Sequence, residues 1–146
     1  TRGFAFRAAL YRAGGVSVAP RARIVGGTKI HYPNVSIGES WIGSESRFYS
    51  APGAHIQIGD RCDIGPGVVF VVGSHEIGGS ERRAGAGRSA SIRIGDGTWV
   101  GARCTFLGGS AVGSGCVVAA GSLVLDVFPN NVLIAGHPAR VVRRLP

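Results

Sequence analysis

The sequence predicts an all-β protein, a parallel β-helix of six-residue repeats, and three observations lead to this fold class. Large apolar residues recur every six positions, a small residue follows four places later, and Gly or Ala often comes directly after the large one. A six-residue period is neither helical nor a simple strand alternation. It is the period of a parallel β-helix, in which each hexad forms one flat side of a coil.

Two sets of positions carry this repeat. The large positions are Ile24, Ile30, Ile42, Phe48, Ile58, Ile64, Phe70, Ile94, Val100, Phe106, Val112, Val118 and Val124. The small positions are Thr28, Ser46, Cys62, Val68, Ser74, Thr98, Cys104, Ser110, Cys116 and Ser122. We expect the large side chains to fill the interior and the small ones to fit at tight corners. Three hexads make one triangular coil, so the unbroken stretch 94–129 predicts about two coils.

Interruptions of the period predict departures from the regular coil. One hexad before Ile42 has Ser36 in place of the large residue. The step from Phe70 to Ile94 is 24 residues, which is one hexad and an excess of 18. The excess must leave the coil, so we expect an external loop over residues 76–91.

The ends of the chain predict short terminal helical segments on a single domain that spans residues 1–146. Residues 1–15 form an N-terminal cap segment, because Phe4, Ala8 and Tyr11 fall on one helical face. We expect this helix to shield the core of the first coil. A helix that associates weakly with a membrane surface is the alternative.

Composition indicates the class of partner and the cellular compartment. The 16 Lys and Arg residues against 8 acidic ones give a net charge of +8, which suits an anionic partner. The cysteines, Cys62, Cys104 and Cys116, form no C-x-x-C pair and all occupy the small position, which predicts buried thiols in a reducing compartment. No apolar run approaches the roughly 20 residues of a membrane span. We therefore expect a cytoplasmic protein.

The residues beside the predicted loop are candidates for chemistry. Ser74 takes the small position of its hexad, so His75 is the last residue of that hexad, on the outer surface. Trp99 occupies the same slot of hexad 94–99, which predicts that His75 and Trp99 flank the loop at equivalent corners. A positioned histidine can take and return a proton near neutral pH. A plain surface histidine and a tryptophan packed on the loop are the alternative.

Four motifs together resemble a known family. They are the pair Ser74–His75, the Ile-Gly-Asp-x-x-Trp segment at residues 94–101, the Ala-Gly-Ser run at 120–124 and the Gly-x-Pro-Ala segment at 136–143. In this order they resemble the hexapeptide-repeat acyltransferases. The similarity is closest to the sugar O-acetyltransferases of the galactoside/maltose and exopolysaccharide-modifying types, and it covers about residues 22–146.

The resemblance implies a left-handed β-helix that assembles as a homotrimer with active sites between adjacent subunits. It implies acetyl-CoA as the co-substrate, a sugar or glycan as the acceptor, and neither a metal nor a nucleic acid. The catalytic base maps onto His75, which would deprotonate an acceptor hydroxyl and then protonate the leaving thiolate. Glu76 is the second catalytic candidate, because it directly follows His75. It would either orient the histidine ring or only solvate the loop.

The resemblance also implies a set of cofactor-binding residues. Trp99 would lie beside the pantetheine arm, and backbone groups at Ala102 and Ala120 would contact the thioester and the pantetheine. Arg140 and Arg143 would lie near the nucleotide phosphates. A backbone N–H group can serve as the oxyanion donor, so acyl transfer needs no special side chain there.

One departure from the family and several alternatives remain open. The family often has Thr-Lys-Asp-Ile-Pro after the last Val-Val, whereas residues 125–129 read Leu-Asp-Val-Phe-Pro, so a lysine contact to the cofactor is absent and the acid has moved one place. The alternatives are an N-acyltransferase on an amino sugar or antibiotic, and a non-enzymatic β-helix scaffold. A gamma-type carbonic anhydrase needs three zinc-binding histidines, two of them close in sequence, and no two histidines of this chain are close. The identity of the acceptor is not encoded in any motif.

Overall fold

The computed structural model describes residues 2–146, which form a parallel β-helix with three flat faces. Face A contains β1 (Ser17–Val18), β4 (Val35–Ile37), β7 (Ile56–Ile58), β12 (Ile92–Ile94), β15 (Ala111–Val112) and β18 (Val127–Phe128). Face B contains β2 (Arg23–Ile24), β5 (Trp41–Ile42), β8 (Asp63–Ile64), β13 (Trp99–Val100), β16 (Val117–Val118), β19 (Val132–Gly136) and β20 (Ala139–Arg144). Face C contains β3 (Lys29–Ile30), β6 (Arg47–Tyr49), β9 (Val69–Val71), β14 (Thr105–Leu107) and β17 (Leu123–Val124). The helix α1 (Arg2–Ala13) precedes the coils, and β10 (Gly73–Ile77) and β11 (Ala84–Ser89) form a separate hairpin.

The interior confirms the predicted repeat. Every predicted large position is buried except Ile30, which is partly buried. On face C the rings of Phe48, Phe70 and Phe106 stack in successive coils, with centroids 4.8 and 5.0 Å apart. This distance matches the spacing between neighbouring strands, so one aromatic ring per coil builds a continuous column.

The irregular hexad keeps its large residue one place later than the repeat predicts. Ile37, rather than residue 36, faces the interior, and it pairs in register with Ile58 of the next coil. Ser36 lies on the outside, where its hydroxyl is 2.9 Å from Nε2 of His55. Because side chains alternate along a strand, a shift of one residue exchanges inside and outside, and the apolar residue takes the inside place.

The small positions are buried as predicted, with the exception of Ser74. All three cysteines are buried and free. Burial raises the pKa of the Cys62 thiol and of the Cys104 thiol above the ordinary value. The thiolate is the reactive form of cysteine, and a reagent must reach it. Burial therefore makes all three thiols unreactive in the folded protein, and the raised pKa of Cys62 and Cys104 adds to this effect.

We therefore expect no reaction of the cysteines with Ellman's reagent in the native protein at neutral pH, and three reactive thiols per chain after unfolding. The same raised pKa values favour the folded state while thiols are protonated. This stabilisation is present below the ordinary thiol pKa of about 8.5 and is lost as the pH rises above it. Rapid labelling of the native protein would contradict the buried position of the thiols.

The N-terminal helix caps the open end of the coil stack, which confirms the prediction. Backbone N–H groups of each coil donate to carbonyls of the next coil, so the carbonyls of the first coil have no coil to pair with. Side chains of α1 take that place: Arg7 Nε donates to the carbonyl of Ile24 at 2.7 Å, and Tyr11 Oη donates to that of Thr28 at 2.6 Å. Ala8 of the same face is fully buried.

The C-terminal segment is a strand, so the expectation of a helical segment there is wrong. Within residues 2–146, α1 is the only helix. β20 turns back after Gly136, whose φ of 115° suits glycine, and pairs antiparallel with β19. The last coil leaves its N–H groups unpaired, and the β-branched Val141 and Val142 favour a strand that covers this edge. No helix in the described part of the chain is long and apolar enough to cross a membrane.

The predicted external loop is a hairpin that leaves the coil between face C and face A. It begins at Gly73, three residues earlier than expected, and Val72 is the last buried residue before it. The amide of Ala90 donates to the carbonyl of Val72 at 3.0 Å, which closes the neck of the hairpin. Ser74 is therefore an exposed hairpin residue, and its predicted burial at a corner is wrong.

Candidate functional site

His75 lies on β10 of the hairpin with an exposed side chain. Its Nδ1 is 3.0 Å from the carbonyl oxygen of Gly85, across an irregularity in the pairing between His75 and Ile77. A carbonyl oxygen only accepts hydrogen bonds, so the Nδ1 of a neutral ring carries the proton. The lone pair on Nε2 is then free to accept a proton from another group. Gly85 was not among the predicted site residues, because a backbone contact leaves no side-chain signal in the sequence.

Glu76 was expected either to orient the histidine ring or only to solvate the loop, and it instead contacts an arginine. Its Oε1 is 3.5 Å from Nε of Arg88 on the opposite strand of the hairpin. Successive side chains of a strand point to opposite sides, so Glu76 is directed away from His75. In the described chain the Gly85 carbonyl, rather than Glu76, contacts the histidine ring.

Trp99 lies on face B, with 59% of its surface exposed. It pairs in register with Asp63 of the preceding coil and Val117 of the following coil. The predicted equivalence of His75 and Trp99 is therefore wrong. The chain leaves the coil after Val72, so residue 75 has no coil position, and the structure does not bring the two side chains together within one chain.

A second tryptophan, which the motif search did not select, shares the column of Trp99. Trp41 pairs in register with Asp63, so Trp41, Asp63 and Trp99 follow one another across three coils. The three residues line one groove on face B. The signal was present in the sequence, because Trp41 directly precedes a large position, as Trp99 does.

Ala102 and Ala120 stack on each other at the corner between faces B and C. The carbonyl of Ala102 accepts from the amide of Gly121 at 2.9 Å. A Cβ at Gly101 would lie 2.5 Å from the amide nitrogen of Ala120, so only glycine permits this close approach. Within residues 2–146 the amides of Ala102 and Ala120 make no backbone hydrogen bond. This corner therefore presents two N–H donors in a line along the coil axis.

Arg140 and Arg143 lie on β20, at the end of face B, and both are exposed. Nη1 of Arg140 is 3.0 Å from Oδ2 of Asp126, the acid that departs from the family pattern. Nη1 of Arg143 is 3.4 Å from the carbonyl of Arg144. Because β20 pairs with β19, both arginines lie beyond the last coil of face B. The described residues bring together no group of three or more His, Cys, Asp or Glu side chains in a metal-binding arrangement.

Comparison with known proteins agrees with the fold and with the repeat. The family model "Bacterial transferase hexapeptide (six repeats)" matches residues 91–126. The galactoside O-acetyltransferase of Escherichia coli (strain K12) is 36% identical over 90 residues, which are 62% of this chain and 44% of that protein. Serine acetyltransferase 4 of Arabidopsis thaliana is 35% identical over 129 residues, which are 88% of this chain and 29% of that protein.

Among solved structures, a hexapeptide-repeat acetyltransferase of Vibrio cholerae O1 biovar eltor in complex with acetyl coenzyme A has the same architecture. It superposes with a TM-score of 0.85 at 31% identity, covering 97% of this chain and 78% of that chain. The fold and the repeat thus define a hexapeptide-repeat transferase. The chain belongs to the hexapeptide-repeat acetyltransferase family, with the galactoside and maltose O-acetyltransferases among its relatives. It spans between 27% and 57% of the length of the curated relatives it matches.

Proposed function

We propose that the protein transfers an acetyl group from acetyl-CoA to a hydroxyl of a sugar or glycan, with His75 as the general base. The observation that carries this proposal is the exposed histidine ring, whose Nδ1 is engaged by the Gly85 carbonyl and whose Nε2 is free. The galactoside O-acetyltransferase among the relatives supports the sugar acceptor. The acetyl-CoA complex of the Vibrio cholerae structure supports the donor.

The reaction follows from the free Nε2. It accepts the proton of the acceptor hydroxyl while the hydroxyl oxygen attacks the carbonyl carbon of the thioester. A backbone N–H at the corner of Ala102 and Ala120 donates to the oxygen that becomes negative. The carbon–sulfur bond then breaks, and the imidazolium returns its proton to the thiolate, which leaves as CoA. The products are the acetyl ester and free CoA thiol.

The proposed site needs two chains. His75 lies on the hairpin between faces C and A, whereas Trp99 and the corner amides lie on face B and at its edge with face C. A groove that contains both sets forms when the hairpin of one chain lies against face B of a neighbour. We therefore place the site between subunits of a homotrimer, and a monomer with full activity would contradict this arrangement.

The donor would lie along face B toward the last coil. Trp99 would contact the pantetheine arm, the amides of Ala102 and Ala120 its carbonyl groups, and Arg140 and Arg143 the phosphates. A net charge of +8 suits this anionic cofactor. We give Glu76 a supporting part, because its pair with Arg88 ties together the two strands that carry the base. Acetyl-CoA and free thiols are both usual in the cytoplasm, where we place the protein.

Trp99→Ala is expected to raise the Michaelis constant for acetyl-CoA by about ten-fold, the scale of one aromatic contact, with a smaller effect on kcat. The reason is that the exposed indole would contact the cofactor arm without touching the reacting atoms. Thiol release at varied acetyl-CoA concentration measures both constants. The matched control is Phe6→Ala, which removes an equally exposed aromatic side chain from the outer face of α1. An unchanged Michaelis constant would contradict this role.

One experiment tests the function as a whole. Thiol release from acetyl-CoA is measured with sugars, amino sugars, glycans and L-serine as acceptors, for the wild type and for His75→Ala. We expect release with a hydroxyl-bearing sugar or glycan and loss of that release in the variant. Release with amino sugars alone would favour N-acylation. If neither CoA nor acetyl-CoA raises the melting temperature, the non-enzymatic scaffold is favoured instead.

A further inference from the structure

A column of outward-facing side chains crosses face B from coil to coil. Its members, in register from the first coil, are Arg23, Trp41, Asp63, Trp99, Val117 and Leu133, and Arg143 of β20 pairs with Leu133 at the far end. Neighbouring strands are about 4.8 Å apart, so the two tryptophans are separated by about 10 Å along the coil axis, with one carboxylate between them. Both tryptophans of the sequence therefore lie on one side of the molecule, in one line.

The two indoles and the carboxylate form an open groove. Trp41 is 37% and Trp99 is 59% exposed, and the groove between them reaches the backbone of the strand that carries Asp63. The ring of Phe4 packs edge-on against Trp41, with the centroids 5.3 Å apart, so the helix cap fixes one wall. Among the described side chains, none forms an ion pair or hydrogen bond with the Asp63 carboxylate.

The charges around the groove nearly cancel. Arg21 pairs with Glu39 and Arg61 pairs with Asp96, each at 3.9 Å, while Arg23 at the end of the column is opposite in charge to Asp63. Such a surface gives a strongly anionic or cationic ligand little net attraction. It offers two flat apolar indole rings, the Asp63 carboxylate as a strong acceptor and the Arg23 guanidinium as a donor. These groups suit a neutral ligand with apolar faces and hydroxyl groups around its edge. A pyranose ring has this chemistry.

We propose that this groove binds a glycan chain, with two pyranose rings that stack on Trp41 and Trp99 and a ring between them whose hydroxyls donate to Asp63. The groove extends from Trp99 toward the first coils, whereas Ala102 and Ala120 extend toward the last coils. Trp99 thus separates the glycan from the proposed line of the donor. The acceptor of the reaction is then a glycan of several units rather than a free monosaccharide, a conclusion that rests on the proposed function.

The test uses tryptophan fluorescence, because both tryptophans of the chain line the groove and report on it alone. The full chain, without acetyl-CoA, is titrated with oligomers of one to six units of α-1,4-glucose, β-1,4-glucose and β-1,4-N-acetylglucosamine. We expect a saturable emission change with at least one series, with the tetramer bound at least about ten-fold more tightly than the monomer.

Trp41→Ala is expected to weaken binding of the tetramer about ten-fold and to leave the Michaelis constant for acetyl-CoA unchanged. Asp63→Asn keeps the shape of the side chain and removes its negative charge, so weaker binding in this variant reports the lost carboxylate rather than a folding defect. Phe6→Ala, outside the groove, is expected to bind like the wild type. Circular dichroism and melting temperature identify any variant that fails to fold.

Three results would overturn the proposal. They are no emission change with any oligomer, equal affinity for monomer and tetramer, and quenching by tetramethylammonium in place of sugars, which would indicate a site for organic cations. Failure of acetyl transfer leaves the binding result standing, because the titration contains no donor. Acetyl transfer without chain-length dependence in binding would refute the groove and keep the proposed function.

Discussion

His75→Ala is expected to lower the rate of acetyl transfer by about 100- to 10,000-fold, the usual contribution of a general base. The imidazole is the group on the hairpin that can take the hydroxyl proton, since its Nδ1 is held by Gly85 and Nε2 is free. Binding of CoA is expected to persist in the variant, because the residues proposed to hold the donor lie on face B.

The measurement is single-turnover thiol release with saturating acetyl-CoA, together with the melting-temperature shift caused by CoA. His31→Ala is the matched control, because His31 is also exposed but stacks on Tyr49, with ring centroids 4.3 Å apart, and has no part in the proposed step. Full activity of His75→Ala would remove the basis of the assignment. Loss of CoA binding in the same variant would instead indicate a structural role for the ring.

Phe70→Ala is expected to lower the free energy of unfolding by about 3–5 kcal/mol. Phe70 is fully buried and stacks between Phe48 and Phe106, so its removal leaves a cavity in the middle of the aromatic column. A β-helix is stabilised by contacts between neighbouring coils, and this cavity weakens two such contacts at once.

Urea unfolding followed by circular dichroism measures this effect, with the midpoint and the slope compared between variants. Phe6→Ala removes the same side chain from a position that is 65% exposed, and a change within about 0.5 kcal/mol is expected there. A small effect at Phe70 would show that the coils repack around the missing ring.

The interior of the fold was predictable because the six-residue period records which side chains face inward. Ile37 and the hairpin show where a prediction from the six-residue period fails. A single extra residue before Ile37 exchanges inside and outside without breaking the apolar pattern. The position of Ser74 was wrong because counting hexads assumes that the chain stays in the coil, and it leaves at Gly73.

The candidate site was only partly predictable. His75 and Trp99 could be selected as residues, but their separation on different sides of the coil follows from where the hairpin departs. The Gly85 carbonyl and the amides of Ala102 and Ala120 are backbone groups, so the residue types in the sequence do not identify them as site groups. Trp41 and Asp63 are 22 residues apart and Asp63 and Trp99 are 36 apart, so their common column appears only once the coils are in register.

The hairpin has a consequence for how such a protein can diverge. β12 pairs with β7 residue for residue, from Ile92 with Ile56 to Ile94 with Ile58, although residues 73–89 lie between them in the chain. The pairing of the coils therefore does not depend on the length or composition of the insertion that carries the proposed base. Insertions and substitutions in this hairpin can change the chemistry presented to an acceptor while the coils keep their packing and stability. In evolution and in engineering alike, specificity and foldability are separable properties of this chain.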